Sequence, residues 1–135
     1  MKMLLFQVKS FRWKSFSKTL DDVEEQDAEE IIPEAVVAFI HAEESDVENT
    51  KVVTKLIKNI KWLANKRDFK HIVLHSFAHL SESTAPSEFT SELLNSAAER
   101  LRGSGYQVWQ TPFGYFCEWD LSVYGESLAK VFKSF

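Results

Sequence analysis

Residues 35–41, Ala-Val-Val-Ala-Phe-Ile-His, form a nearly unbroken apolar run closed by a histidine. A strand with one wet face alternates polar and apolar residues; a run without alternation belongs to a strand covered on both faces. The chain must therefore build a sheet with material packed above and below it, which is the α/β class.

The flanking segments fit that frame. Leu4-Leu5-Phe6 opens a strand at 2–8, and residues 10–17, with Phe11, Trp13 and Phe16, suggest a second. After the 35–41 strand, Asp46 can cap a helix over 48–66. Val52, Leu56, Ile57, Ile60 and Leu63 share one face of that helix, and Lys51, Lys55, Lys58 and Lys61 lie on the other, near Trp62. Residues 70–76 read as a strand. Pro86 suits the first position of a helix over 86–102, ended by Gly103 or Gly105. Strands at 106–110 and 115–123 flank a turn at Thr111-Pro112-Phe113-Gly114, and a short helix is expected at 127–134. The expected order is β-β-β-α-β-α-β-β-α, with six strands and three helices.

A length of 135 residues fits one domain, and 44% hydrophobic residues supply its core. The net charge of −4 argues against non-specific coating of nucleic acid, which depends on neutralising phosphates. One cysteine, Cys117, suits a reducing compartment. The first residues have too short an apolar run for a signal peptide, and no stretch reaches the length of a membrane span, so a cytoplasmic protein without a membrane partner is expected. Residues 21–34 carry eight carboxylates and read as a solvated loop; they lack the glycine-centred pattern of a calcium site. Four glycines and no glycine-rich phosphate loop weigh against nucleotide-binding folds. No cofactor is expected.

His75 and His79 are four apart, but the spacing straddles a strand end and a loop, with no evident third ligand, so no metal site is expected. His71 and His75 read as ordinary strand histidines. His79, in Phe77-Ala78-His79-Leu80-Ser81, follows the carboxyl end of a buried strand, where α/β sheets collect ligands, and can exchange protons near neutrality. Ser81, Ser83, Thr84 and Ser87 lack a nucleophile elbow, so capping and turn roles suit them. Cys117 and His79 could form a nucleophilic pair. The lysine face, with Lys51, Lys55, Lys58 and Trp62, could track phosphates and stack a base.

Phe77-Ala78-His79-Leu80-Ser81 together with Pro112-Phe113-Gly114-Tyr115-Phe116 resembles the N-terminal editing domain of archaeal threonyl-tRNA synthetase, whose fold is similar to D-aminoacyl-tRNA deacylases. Ala38-Phe39-Ile40 with Ala42-Glu43, and Gly125 with Leu128-Ala129, extend the likeness over nearly the whole chain. The resemblance implies hydrolysis of the ester joining mischarged serine to threonine tRNA, without metal, by a water that the terminal ribose hydroxyl assists. It places the substrate at Ala42, Phe77, Ala78, Phe113, Gly114, Tyr115 and Phe116. Backbone groups near Ala42, Ala78 and Tyr115 would hold the aminoacyl group, and His79 would exclude threonine or position the ester. Expected partners are the tRNA acceptor end, a second copy of the chain and a threonyl-tRNA synthetase.

The departures fall in the site. The family carries Tyr-Lys after Phe-Gly-Tyr, where this chain has Phe116-Cys117. The family's glutamate in the last helix is Lys130, its histidine after the glycine is Glu126, and its His-Ser-Asp-Tyr after the first strand is absent. Two readings follow: Lys130 reaches into the pocket and replaces the lost cation beside His79 and Cys117, or the pocket is degenerate and binds without cleaving. Removing such a charge from a developing oxyanion costs about 2.7–4 kcal/mol.

Overall fold

The computed structural model describes all of residues 1–135. Strands β1 (Lys2–Lys18), β2 (Glu29–His41), β3 (His71–Ser76), β4 (Gln107–Gln110), β5 (Tyr115–Val123) and β6 (Lys130–Ser134) form one sheet. Helix α1 (Val52–Asn65) connects β2 to β3, and α2 (Ser87–Gly103) connects β3 to β4. The strand order is β4-β3-β2-β1-β5, with β6 also on β1. Pairings of β2, β3 and β4 are parallel; those involving β1 are antiparallel.

Both helices cover one face. Met3, Leu5, Val36, Ala38, Ile40, Ile72 and Leu74 meet Leu56, Ile60, Leu63, Leu94, Ala97 and Leu101 in the larger core. The other face gathers Val8, Phe11, Trp13, Ile32, Val37, Phe39 and Val73. The 35–41 run is thus buried on both sides, as its lack of alternation requires.

Four expectations are corrected. The two N-terminal strands are one long strand, because the irregularity between Val8 and Ser10 shifts register without ending the ladder. This β1 serves three partners: β2 along one edge, and β6 then β5 along the other. Residues 29–34 belong to β2 rather than to the acidic loop. Ile32 packs opposite Phe11, and Arg12 bonds both Glu29 and Asp120 at 2.7 Å, which offsets the like charges. Asp46 caps a 3-10 turn at Glu44–Glu48, its carboxylate accepting from the Glu43 N–H at 2.7 Å, and α1 starts later, at Val52. The expected terminal helix is only a 3-10 turn at Ser127–Ala129, followed by β6. Exposure alternates along Lys130–Ser134, and its β-branched and aromatic residues favour an edge strand. The helix count is therefore two.

Phe11 and Trp13 are buried, so of the three N-terminal aromatics only Phe16 stands free, 78% exposed. No helix is long and apolar enough to cross a membrane.

Candidate functional site

A cavity of about 450 Å³ opens where β2 and β3 end and the β4–β5 turn folds back over them. Its position follows from topology, because parallel strands release their loops at one edge of the sheet. Ala42 comes from the end of β2, and Phe77, Ala78 and His79 from the end of β3. Phe113, Gly114, Tyr115, Phe116 and Cys117 come from the turn and the start of β5. These nine candidate residues, drawn from three stretches of sequence, meet at one opening.

Lys130 does not join them. It stands on β6 opposite Phe6, and its Nζ lies 3.2 Å from the carbonyl of Gly125, to which it donates. A lysine on an edge strand cannot act as a residue of a terminal helix would. Glu126 pairs with Arg67 on the surface. No lysine, arginine, aspartate or glutamate side chain borders the cavity.

The 77–85 loop is fixed by the chain leaving β2. The N–H of Leu80 donates to Nδ1 of His41 at 2.9 Å, so the imidazole proton sits on Nε2 and is donated to the carbonyl of Ser83 at 2.8 Å. Ser81 Oγ donates to Glu43 at 2.7 Å, and the N–H of Glu44 donates to Ser83 Oγ at 2.9 Å. Ser81, Ser83 and Thr84, whose hydroxyl lies 3.1 Å from Nε2 of His41, therefore serve as turn and anchoring groups. Glu43 also bonds the α-ammonium of Met1 at 2.5 Å, and that ammonium, then Ser81, hold its carboxyl below the usual carboxylate range. With the loop so pinned, His79 lies exposed at the rim, its ring edge-on to Phe77 at 4.9 Å. Ala78 and His79 border the cavity, and their backbone N–H groups take no partner within the chain. Donors of this kind suit a carbonyl that gains negative charge.

The opposite wall is clamped by the acidic segment. Gly114 has φ +80°, and its carbonyl accepts from the Thr19 N–H at 2.7 Å. Thr19 and Leu20 thereby line the cavity too. Lys18 pairs with Glu25, so the carboxylates here answer β1 and not the lysines of α1. Cys117 is half-buried, and burial pushes its thiol up, away from the thiolate a nucleophile requires.

Sequence reasoning did not select His41, Thr111 or Trp119 and read His75 as an ordinary strand histidine; all four also border the cavity. For both histidines the available signal was their place at the carboxyl ends of buried strands. His75 is 6% exposed, bonds the hydroxyl of Thr111 at 2.8 Å, and is lowered by burial to about 4.

On α1, Lys51, Lys55, Lys58 and Trp62 are exposed along one side. Lys55, Lys58, Asn59, Trp62 and Phe135 line a shallow depression. Lys133 of β6 sets its Nζ 5.0 Å above the Trp62 ring, an addition that helical spacing could not reveal. Ion pairs engage Lys2, Lys18 and Lys70, leaving this group of lysines unpaired.

Residues 1–135 match a family model described as the archaea-specific editing domain of threonyl-tRNA synthetase. A threonine–tRNA ligase of Staphylothermus marinus is 33% identical over 138 residues, covering 99% of this chain and 22% of that protein. Those of Thermococcus kodakarensis and Methanosphaera stadtmanae are 32% and 29% identical, with the same coverage. The chain thus spans 22% of the length of these relatives. A solved structure described as c-Myc DNA Unwinding Element Binding Protein superposes with a TM-score of 0.72 at 13% identity, covering 99% of this chain and 98% of that one. That likeness shows the fold alone.

Proposed function

The chain belongs to the archaea-specific editing-domain family of threonyl-tRNA synthetase, and we propose that it hydrolyses the ester of threonine tRNA wrongly charged with serine. One observation carries this reading. Residues 77–79 and 113–117, far apart in sequence, border the same cavity with Ala42. The terminal ribose and its aminoacyl group enter between the two loops. The free N–H groups of Ala78 and His79 face the ester carbonyl, and His79 positions it from the rim. Water attacks the carbonyl carbon, the C–O bond to the ribose breaks, and the ribose oxygen leaves with a proton, giving free serine and uncharged tRNA. Lysines on α1 attract the RNA backbone over a surface outside the cavity. A cytoplasmic homodimer acting with a threonyl-tRNA synthetase completes the reading; light scattering at the mass of one chain would remove the dimer from it.

The test is direct. Purified protein is incubated with seryl-tRNA for threonine, and the remaining ester is followed against a blank. Loss of ester faster than the blank supports hydrolysis; equal rates sink it.

A second reading has its own observation. The cavity has no cationic side chain, and Lys130 is engaged by Gly125. A relative that docks the RNA end or a synthetase without turnover fits that arrangement. Saturable binding of the charged RNA with no ester loss would select it.

A further inference from the structure

His75 is a buried imidazole that the reading above does not use. It stands near the end of β3, 6% exposed, with its ring held by Phe39 at 4.9 Å and by Phe77 and Trp119 at 6.1 and 6.4 Å. Its Nδ1 is engaged by the Thr111 hydroxyl at 2.8 Å. Its Nε2 has no hydrogen bond within the protein. That atom is not sealed either, because the single buried polar side-chain atom without a partner is Nε1 of Trp13. The residue lines the cavity, so the opening left to Nε2 is the cavity itself.

We propose that His75 is the specificity-determining residue of the cavity, its Nε2 hydrogen-bonding a hydroxyl on the side chain of the bound aminoacyl group. This rests on the ester-hydrolase reading and names what that site recognises. The surroundings choose the ligand chemistry. Aromatic rings flank the imidazole, and no carboxylate borders the cavity to balance an ammonium on a side chain that reaches Nε2. A carbonyl would demand that Nε2 carry the proton, and an ammonium that it lack one. A hydroxyl both donates and accepts, so it satisfies either tautomer that Thr111 selects. Burial among apolar rings keeps the imidazole neutral, which suits a neutral ligand group.

Discrimination follows from what is left unpaired. A short side chain without a hydroxyl would cover Nε2 and strip its water without replacing the bond, and sites built around such a bond reject the analogue lacking it. Seryl and alanyl groups differ by this one atom. Threonine carries the same hydroxyl, so rejecting its extra methyl falls to the cavity walls and not to His75.

The test uses seryl and alanyl amide analogues of the terminal adenosine, which cannot be hydrolysed, with binding measured by calorimetry on the full chain. The protein is expected to prefer the seryl analogue by about tenfold. In His75→Phe that preference should collapse toward unity, because the larger phenyl ring offers neither analogue an Nε2. Should that variant not fold, nitrogen NMR of the unmodified protein gives a second measurement. The Nε2 resonance of His75 is expected to move with the seryl analogue and not with the alanyl one. An unchanged preference in His75→Phe, or a resonance indifferent to the hydroxyl, overturns the inference and leaves the hydrolase reading standing. Failure of the unmodified protein to bind or cleave either aminoacyl group overturns the hydrolase reading, and this inference with it.

Discussion

The phenol of Tyr115 donates to the carbonyl of Glu24 at 2.5 Å and accepts from the N–H of Gln26 at 2.8 Å. The tyrosine of the aromatic-glycine-tyrosine turn thus spends its hydroxyl on the acidic segment, and only its ring and backbone are left for a substrate. Tyr115→Phe should cost about 1–2 kcal/mol in urea unfolding. Amide exchange at Gln26 should accelerate while that of β3 stays unchanged. Equal protection at Gln26 in both proteins would show that the segment is held by other means.

The neutrality of His75 makes stability depend on acidity. Burial lowers the imidazole to about 4, against 6.5 for the free side chain. Between those values the unfolded chain binds a proton that the native chain refuses, so stability is full above 6.5 and falls as pH drops toward 4. The loss reaches up to about 3 kcal/mol. Urea midpoints measured across this window should slope in the unmodified protein, and the slope should shrink in His75→Phe. A matching slope in both would assign it to other groups.

Gly114 is required by shape. At φ +80° a side chain is already strained, and a Cβ would lie 2.8 Å from Val23 and 3.2 Å from Leu20. Gly114→Ala should lower stability by about 1–3 kcal/mol. Adding Val23→Ala should recover the collision but not the backbone strain, so thermal melting is expected to show partial rescue. Full rescue would mean that the conformation itself is inexpensive.

Because burial raises the Cys117 thiol, the residue is expected to react with iodoacetamide at neutral pH more slowly than glutathione does. Cys117→Ser should keep deacylation within about twofold. A loss of a hundredfold would restore the thiol as nucleophile.

The exposed lysines of α1 should govern how salt weakens RNA binding. Lys55→Gln with Lys58→Gln is expected to lower affinity and to reduce the slope of log affinity against log salt by about two. Fluorescence anisotropy with labelled acceptor-stem RNA reads both. An unchanged slope would place the RNA elsewhere.

Elements set by local pattern were legible in advance. The 35–41 run announced its burial, α2 carried a clear apolar stripe, and β5 spans 115–123, after the turn expected at Thr111–Gly114. Misreadings arose where a partner decides. Lys130–Ser134 is five residues long, too short for periodicity alone to separate helix from strand, and its pairing with Lys2–Phe6 settles the matter. Residues 29–34 looked like solvated loop because Arg12, which pairs with Glu29, lies seventeen positions away in sequence. At the site, the two loops could be placed by resemblance. His75 could not, because its exposure to the cavity depends on Thr111 and Trp119, which reach it only through the folded sheet.

The three-way use of β1 carries a kinetic consequence. Lys2 pairs with His41 on one side and with Ser134 on the other, so the central ladder is finished only when residues 132 positions apart have met. Contacts that distant are entropically late, and chains rich in them assemble slowly. The β5 wall of the cavity hangs on the same strand. The opening is therefore among the final features to take shape, and a nascent chain caught before that moment presents Phe11 and Trp13 to its surroundings.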